Sequence, residues 1–540
     1  MARAKFILSY DQENINSRGK NNMTPVMYAA QEGHEDVFDL LVREGANLTL
    51  FTNTRENILH VACIGGSVEI VKCVLTQNIV DINSQDGEGF TPLMNAAFYG
   101  RKYLFYLLAE EEPDFLLLTK MEETILHVAC AGGNVEIVKY LMKHNIVDTE
   151  SRDKNGWTPV MQAAYAGRKE VFHILVEAGA NMSQVSNHRE TILHISCKGG
   201  NVEITRYLMK QAVVDIESQD YKGWTPVMQA ASAGHKHVFD ILVEAGADLS
   251  HVGHKDDTIL HVSCKGENVD IIKYLLTHEI VDIDSRDLDG WTSVMQAAIY
   301  GHKKTFDVLV EAGADLSQVH QKKKTFLHLA SEGGNVEIIK HVLSHVSTVI
   351  DSRDVDGWTP VMHTVRAGHK DAFNFLAEKG ADLSKVSHGK KNILHLACDG
   401  KNVEIIKYLL KHGIVDIDSR DKDGLTPLMH TAKHQSKDAF DILVKWGADL
   451  LLLDDDNDNI LHLACDGGSV EIVKYLLTHN IVDINSRDGE ECTPRAVRTI
   501  WDIPSAQNQL FAIFCEIVKA QQIDFKKLAR DVVALEKGVA

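Results

Sequence analysis

The chain has 540 residues, 44% of them apolar, and a formal net charge of −20. Binding to phosphate backbones needs surplus Lys and Arg, so this charge argues against nucleic acid as the general partner and fits a soluble chain that resists self-association, expected to be monomeric. No run approaches the ~18 apolar residues of a membrane-spanning helix, and Met1–Leu8 lacks the pattern of a secretory leader, so direct membrane insertion is not expected.

A chain of this length would ordinarily divide into several domains, but two markers impose a different organisation. The tetrapeptide Thr-Pro/Ser-Val/Leu-Met starts at Thr24, Thr91, Thr158, Thr225, Thr292, Thr359 and Thr426, with a degraded copy at Thr493. Interleaved with it, Ile/Phe-Leu-His places histidines at His60, His127, His194, His261, His328, His395 and His462, every interval being 67 residues. Residues 14–495 therefore read as one array of about 15 units, built as 67-residue pairs of 33 and 34 residues, in which each unit packs only on its neighbours. Residues 1–13 precede it: Lys5-Phe6-Ile7-Leu8 aligns with Lys72-Cys73-Val74-Leu75 one period later, which predicts the second helix of an incomplete unit, either a cap or a sign of a longer array. After Thr493-Pro494 the period dissolves, and residues 496–540 carry two amphipathic stretches (Leu510, Phe514, Ile517; Leu528, Val532, Leu535) that predict a helical tail, read either as a cap on the terminal repeat or as a dock for a partner helix.

One unit, Asp153 to Asn181, shows how the pattern becomes structure. Asn155-Gly156 supplies a turn; Thr158 can cap a helix whose first position, Pro159, needs no N–H; Val160, Met161, Ala163 and Ala164 give that helix small side chains. Gly167 ends it, Val171, Phe172, Leu175 and Val176 follow at helical spacing, and Gly179 stops the second helix. The alternate unit has the same plan, capped at Asn57, Thr124, Thr191, Thr258, Thr325, Asn392 and Asn459, with polar connections such as Val281–Asp287 between the types.

The segment Asp220–His235 (DYKGWTPVMQAASAGH), closed by Gly246-Ala247-Asp248-Leu249, resembles the ankyrin repeat family at nearly every defining position, and the resemblance extends over most of the chain. It implies an all-α ankyrin-repeat α-solenoid of helix-turn-helix pairs, joined by β-turn or hairpin-like connections and wound into a curved superhelix. It also implies a protein-binding role. This chain departs from the family pattern in one respect: Thr-Pro and Leu-His are allotted to alternate units, so the family's Thr–His hydrogen bond is in doubt in the Met-bearing half.

Partners of such arrays usually meet the turn tips and outer first helices, which line a concave face. The residue before each Thr-Pro marker is one such position: Phe90, Trp157, Trp224, Trp291, Trp358 and then Leu425. Each indole has two readings, as a contact for a partner or as packing on the next turn. Tyr99, Tyr165 and Tyr300 add aromatics before the inter-helix glycine. Charge varies along the connection that precedes each Leu-His helix, with Lys322, Lys323, Lys324, Lys390 and Lys391 forming a basic patch beside the acidic Asp454–Asp458. It reads as a solvated face or as a dock for an acidic segment. Asn83 and Asn485, in Leu75…Asp81-Ile82-Asn83 and Leu477…Asp483-Ile484-Asn485, resemble the asparagine hydroxylation motif of ankyrin repeats.

Catalytic chemistry is not expected. His251/His254 and His341/His345 have ligand-like spacings without supporting Cys or Glu, so no metal is assigned and no cofactor is expected. Asp454–Asn459 lacks the turn glycine and the bidentate Glu of a calcium loop, and Gly87-Glu88-Gly89 is a repeat turn. Cys63, Cys130, Cys197, Cys264, Cys398 and Cys465 share one repeat position, two helix layers apart and too distant to bridge, so they read as small core residues of a reducing compartment: the cytoplasm, with the nucleus as the alternative. The expected role is a non-enzymatic interaction scaffold or adaptor. The alternative is the regulatory region of a larger signalling, channel or receptor protein.

Overall fold

The computed structural model describes residues 15–211, 214–346, 349–483 and 486. The incomplete unit expected at residues 1–13, the helical tail expected at 496–540, the copy at Thr493 and Asn485 lie outside them. Among the described residues there are 28 α-helices, from Pro25–Gln31 to Val470–Thr478, and no β-strands. They fall into two compact units, Met1–Leu288 and Asp289–Ala540, both built from the same alternating helix pairs.

Each pair begins with a capped first helix. In the Leu-His units the cap is reciprocal: the Thr191 N–H donates to His194 Nδ1 (3.2 Å), and the His194 N–H returns to Thr191 Oγ1 (3.4 Å). In the Thr-Pro units methionine sulfur replaces the imidazole, with Met161, Met362 and Met429 Sδ accepting the N–H of Thr158, Thr359 and Thr426 at 3.4–3.5 Å. The Thr–His bond in question is thus absent from those three units, and a thioether takes the same N–H. Glycines terminate the helices as expected: Gly167 (φ 69°) follows Pro159–Tyr165, and Gly179 (φ 93°) follows Lys169–Glu177.

Second helices bury one phenylalanine per pair. Phe38, Phe105, Phe172, Phe239, Phe306, Phe373 and Phe440 are fully buried, and most meet a tyrosine of the next second helix edge-on, as Phe172 does Tyr207 at 5.6 Å. Leu-His imidazoles reach forward: Nε2 of His60, His127 and His194 contacts the carbonyl oxygen of Phe90, Trp157 and Trp224 at 2.9–3.0 Å. Between the helix pairs, tips are stitched by single backbone bonds, such as Lys154 N–H to Met121 O (2.8 Å) and Lys422 N–H to Gly389 O (2.9 Å). Isolated antiparallel bridges at Val185–Thr191 and Val252–Thr258 match the hairpin-like connections expected.

Candidate functional site

Aspartates organise tips that precede Thr-Pro helices, while Thr52, Thr119, Ser186 and Ser387 take that place before Leu-His helices. Asp153 Oδ1 accepts from Asn155 and Trp157 N–H, both at 2.8 Å, which draws the tryptophan onto the following turn. There the indole is covered. Trp157 and Trp224 are only 8% and 5% exposed, their Nε1–H groups donate to Glu190 and Asp257, and lysine ammoniums lie over their faces: Lys198 over Trp157, Lys222 and Lys265 over Trp224. In the second unit Trp358 is half-buried beneath Arg366, and Trp291 is half-buried with its ring 4.4 Å from His320. All four tryptophans thus have packing contacts within the array. Phe90 is also half-buried and abuts Phe98.

The open aromatic surface lies one helix further on. Tyr99 (47% exposed), Tyr165 (42%) and Tyr300 (50%) end their first helices; Tyr99 packs edge-on against Phe98, and Tyr165 against Trp157 at 5.1 Å. Tyr300 stacks on His302 at 5.6 Å, so each of the three rings has an aromatic neighbour on one side and an open side.

The basic patch divides. Lys322, Lys323 and Lys390 are exposed at their tips, the latter two with left-handed φ of 55° and 56°. Lys324 and Lys391 turn inward and pair with Glu332 (2.6 Å) and Asp399 (3.0 Å), eight residues on. The same eight-residue pair occurs with opposite polarity earlier, as Glu190 with Lys198 (3.1 Å). Reversal has a consequence for the neighbouring first helix. Where the acid leads, the facing side chain is Gln162 or Gln229; where lysine leads, the acid moves to Glu332 or Asp399 and meets His363 or His430.

Around His430 this produces a buried chain of charge. Nδ1 lies 2.6 Å from Asp399 Oδ1, Nε2 lies 2.9 Å from Asp421 Oδ2, and His434 Nε2 approaches Asp399 Oδ1 at 3.3 Å. Burial pushes Asp399 up, but the hydrogen bond and charge of His430, with Lys391, outweigh it and hold the carboxyl well below the usual range. Burial pulls His430 down, yet its bonds to Asp399 and Asp421 raise it above an ordinary histidine. This cluster was not anticipated. Its one legible signal was the spacing of His430 and His434, four apart on one helix face.

The remaining candidates have structural partners. His251 Nε2 and His254 Nδ1 contact carbonyl oxygens of Gly223 and Tyr221, and His341 stacks on His345 at 4.3 Å. Asn83 Oδ1 accepts the N–H of Asp114 (2.8 Å), bracing the next tip. Asp454 Oδ1 accepts from Asp456 and Asp458 N–H, while Asp455 and Asp456 are exposed. Cys63, Cys130, Cys197 and Cys398 are buried thiols, and burial pushes Cys264 up to about 12. No described helix is long and apolar enough to cross a membrane.

Family models for ankyrin repeats match the chain as three-copy blocks at residues 48–117, 93–186, 179–253, 249–320, 313–387 and 385–454, and as single repeats at 21–53 and 456–489. The human transient receptor potential cation channel subfamily A member 1 is 24% identical over 477 residues, covering 85% of this chain and 39% of the channel. The ankyrin repeat and KH domain-containing protein mask-1 of Caenorhabditis elegans is 28% identical over 484 residues, 81% of this chain and 17% of that protein. The putative palmitoyltransferase ZDHHC13 of Danio rerio is 31% identical over 254 residues, 46% of this chain and 39% of that protein. The chain spans less than half the length of each of these relatives.

Proposed function

The chain belongs to the ankyrin repeat family, and from that premise we propose that it is a non-enzymatic scaffold or adaptor holding a protein partner on the face that carries its tips and first-helix ends. The observation that carries this reading is the set of half-exposed tyrosines at the ends of Thr-Pro first helices, with Tyr99 and Tyr300 at one repeat position and Tyr165 one residue earlier. A rigid aromatic with its inner edge fixed loses little entropy on binding, which is what an interface anchor requires. The exposed Lys322, Lys323 and Lys390, with the exposed Asp455 and Asp456 on a later tip, add a means of selecting partner charge in the second unit. A monomer in the cytoplasm, or alternatively the nucleus, suits the buried thiols of Cys63, Cys130, Cys197 and Cys398 and the charge of −20.

The match to 85% of this chain within a cation channel supports a second reading, an ankyrin region regulating a larger molecule.

Tyr99→Ser with Tyr165→Ser is the informative variant, because Trp224 is buried and its loss would perturb folding. A partner captured by the unaltered chain should bind the double variant at least ~30-fold more weakly, the equivalent of about 2 kcal/mol, with an unchanged melting curve. Equal affinity in isothermal titration would remove the tyrosines from the interface.

A further inference from the structure

We propose that Asp399, His430 and His434 form a binding site for one divalent transition-metal ion of the Zn²⁺ class. One ligand atom from each of the three lies within 4.8 Å of the other two, and Asp399 Oδ1 is 2.6 Å from His430 Nδ1 and 3.3 Å from His434 Nε2. The helix Pro427–Lys433 presents His430, with His434 as its C-cap residue four positions later, so both rings lie on one face; they stack at 6.0 Å. Asp399 enters from the end of the first helix of the preceding unit, Ile393–Asp399. Two imidazoles and one carboxylate suit Zn²⁺, Co²⁺ or Ni²⁺ and leave a coordination position for water.

Three features distinguish this cluster from a chance gathering of polar groups. First, the second nitrogen of His430 lies 2.9 Å from Asp421 Oδ2, while Asp421 Oδ1 accepts from Asp423 and Leu425 N–H, both at 3.0 Å. A carboxylate holding the far side of an imidazole fixes the tautomer with Nδ1 as the coordinating atom and strengthens it as a ligand. Second, the spacing is close to that of a bound metal. Bonds of about 2.0–2.1 Å place tetrahedral ligand atoms about 3.3 Å apart. His434 Nε2 and Asp399 Oδ1 are at 3.3 Å, and the 2.6 Å His430–Asp399 hydrogen bond opens as the metal replaces the shared proton. Third, Lys391 pairs with Asp399 Oδ2, leaving Oδ1 for the metal and offsetting one of the two carboxylates.

The array supplies its own control. One period earlier Lys324, Glu332, Asp354 and His363 repeat the same network, with His363 Nε2 2.9 Å from Asp354 Oδ2, but residue 367 is alanine where His434 would stand. That copy lacks the third ligand.

Titration of the full chain with Co²⁺ near neutral pH is expected to give one equivalent of tetrahedral d–d absorption, displaced by Zn²⁺. His434→Ala, at a ring with 43% of its side chain exposed, should weaken Co²⁺ at least tenfold without changing the helical circular dichroism. Asp421→Asn should weaken it about tenfold through His430, and Ala367→His should create a second equivalent. Absence of the absorption, or a tightest site untouched by His434→Ala, would overturn the assignment.

Discussion

Alanine at Gly199 is expected to lower the stability of the Met1–Leu288 unit by about 3 kcal/mol, read as a lower urea midpoint. Gly199 ends the helix Ile192–Gly199, and a Cβ there would sit 2.1 Å from the carbonyl oxygen of Tyr165 and 2.8 Å from its carbonyl carbon. Both atoms are backbone of the preceding unit, so no side chain can turn aside and the helix itself must shift. The same approach recurs at Gly65 (2.3 Å to Ala30 O), Gly132 (2.4 Å to Phe98 O) and Gly333 (2.2 Å to Ala298 O), which is why glycine persists there. Gly246 is the comparison. A Cβ there meets nothing within 4 Å, and only its φ of +89° resists substitution, so Gly246→Ala should cost about 1 kcal/mol. Equal losses from the two variants would mean that the helices do not approach so closely.

Acidification should destabilise the array between pH 6.5 and 4. Burial, aided by the charge of His363, lowers His328 to about 4, and burial with His430 does the same to His395. Burial lowers His60, His127 and His194 in the same direction. In the unfolded chain these rings take up protons near pH 6.5, whereas in the fold they resist until lower pH. Their stabilisation is therefore complete above 6.5 and is lost as the pH falls from there. His328 and His395 should each account for about 2 kcal/mol at pH 5 relative to pH 7.5. His430 opposes the trend, because its raised pKa favours the fold below 6.5 and that gain is lost as pH rises through the folded value. One such group does not cancel five. Urea titrations with chelator present should show the decline, and His328→Gln with His395→Gln should flatten it. A midpoint that does not move between pH 7.5 and 5 would contradict buried neutral imidazoles.

The repeat plan was legible because it is written in local chemistry. Thr158, Pro159, Gly167 and Gly179 act through their own backbone, and the buried Phe172 follows from helical spacing. The candidate surface was less so. Trp157 and Trp224 occupy a position open to solvent in a single unit, and only the next unit's Glu190 or Asp257 and the overlying lysines cover them. Lys324 and Lys391 likewise look like part of a basic run until the turn brings Glu332 and Asp399 alongside.

Period, caps, helix pairs and family were therefore determined by sequence, since each depends on residues within a few positions of one another. Which aromatics stay open, which lysines are neutralised, and the meeting of Asp399, His430 and His434 were decided by stacking, which joins residues about 30 apart across adjoining units. Side-chain direction at that distance depends on the neighbour's backbone, and no pattern internal to one repeat encodes it.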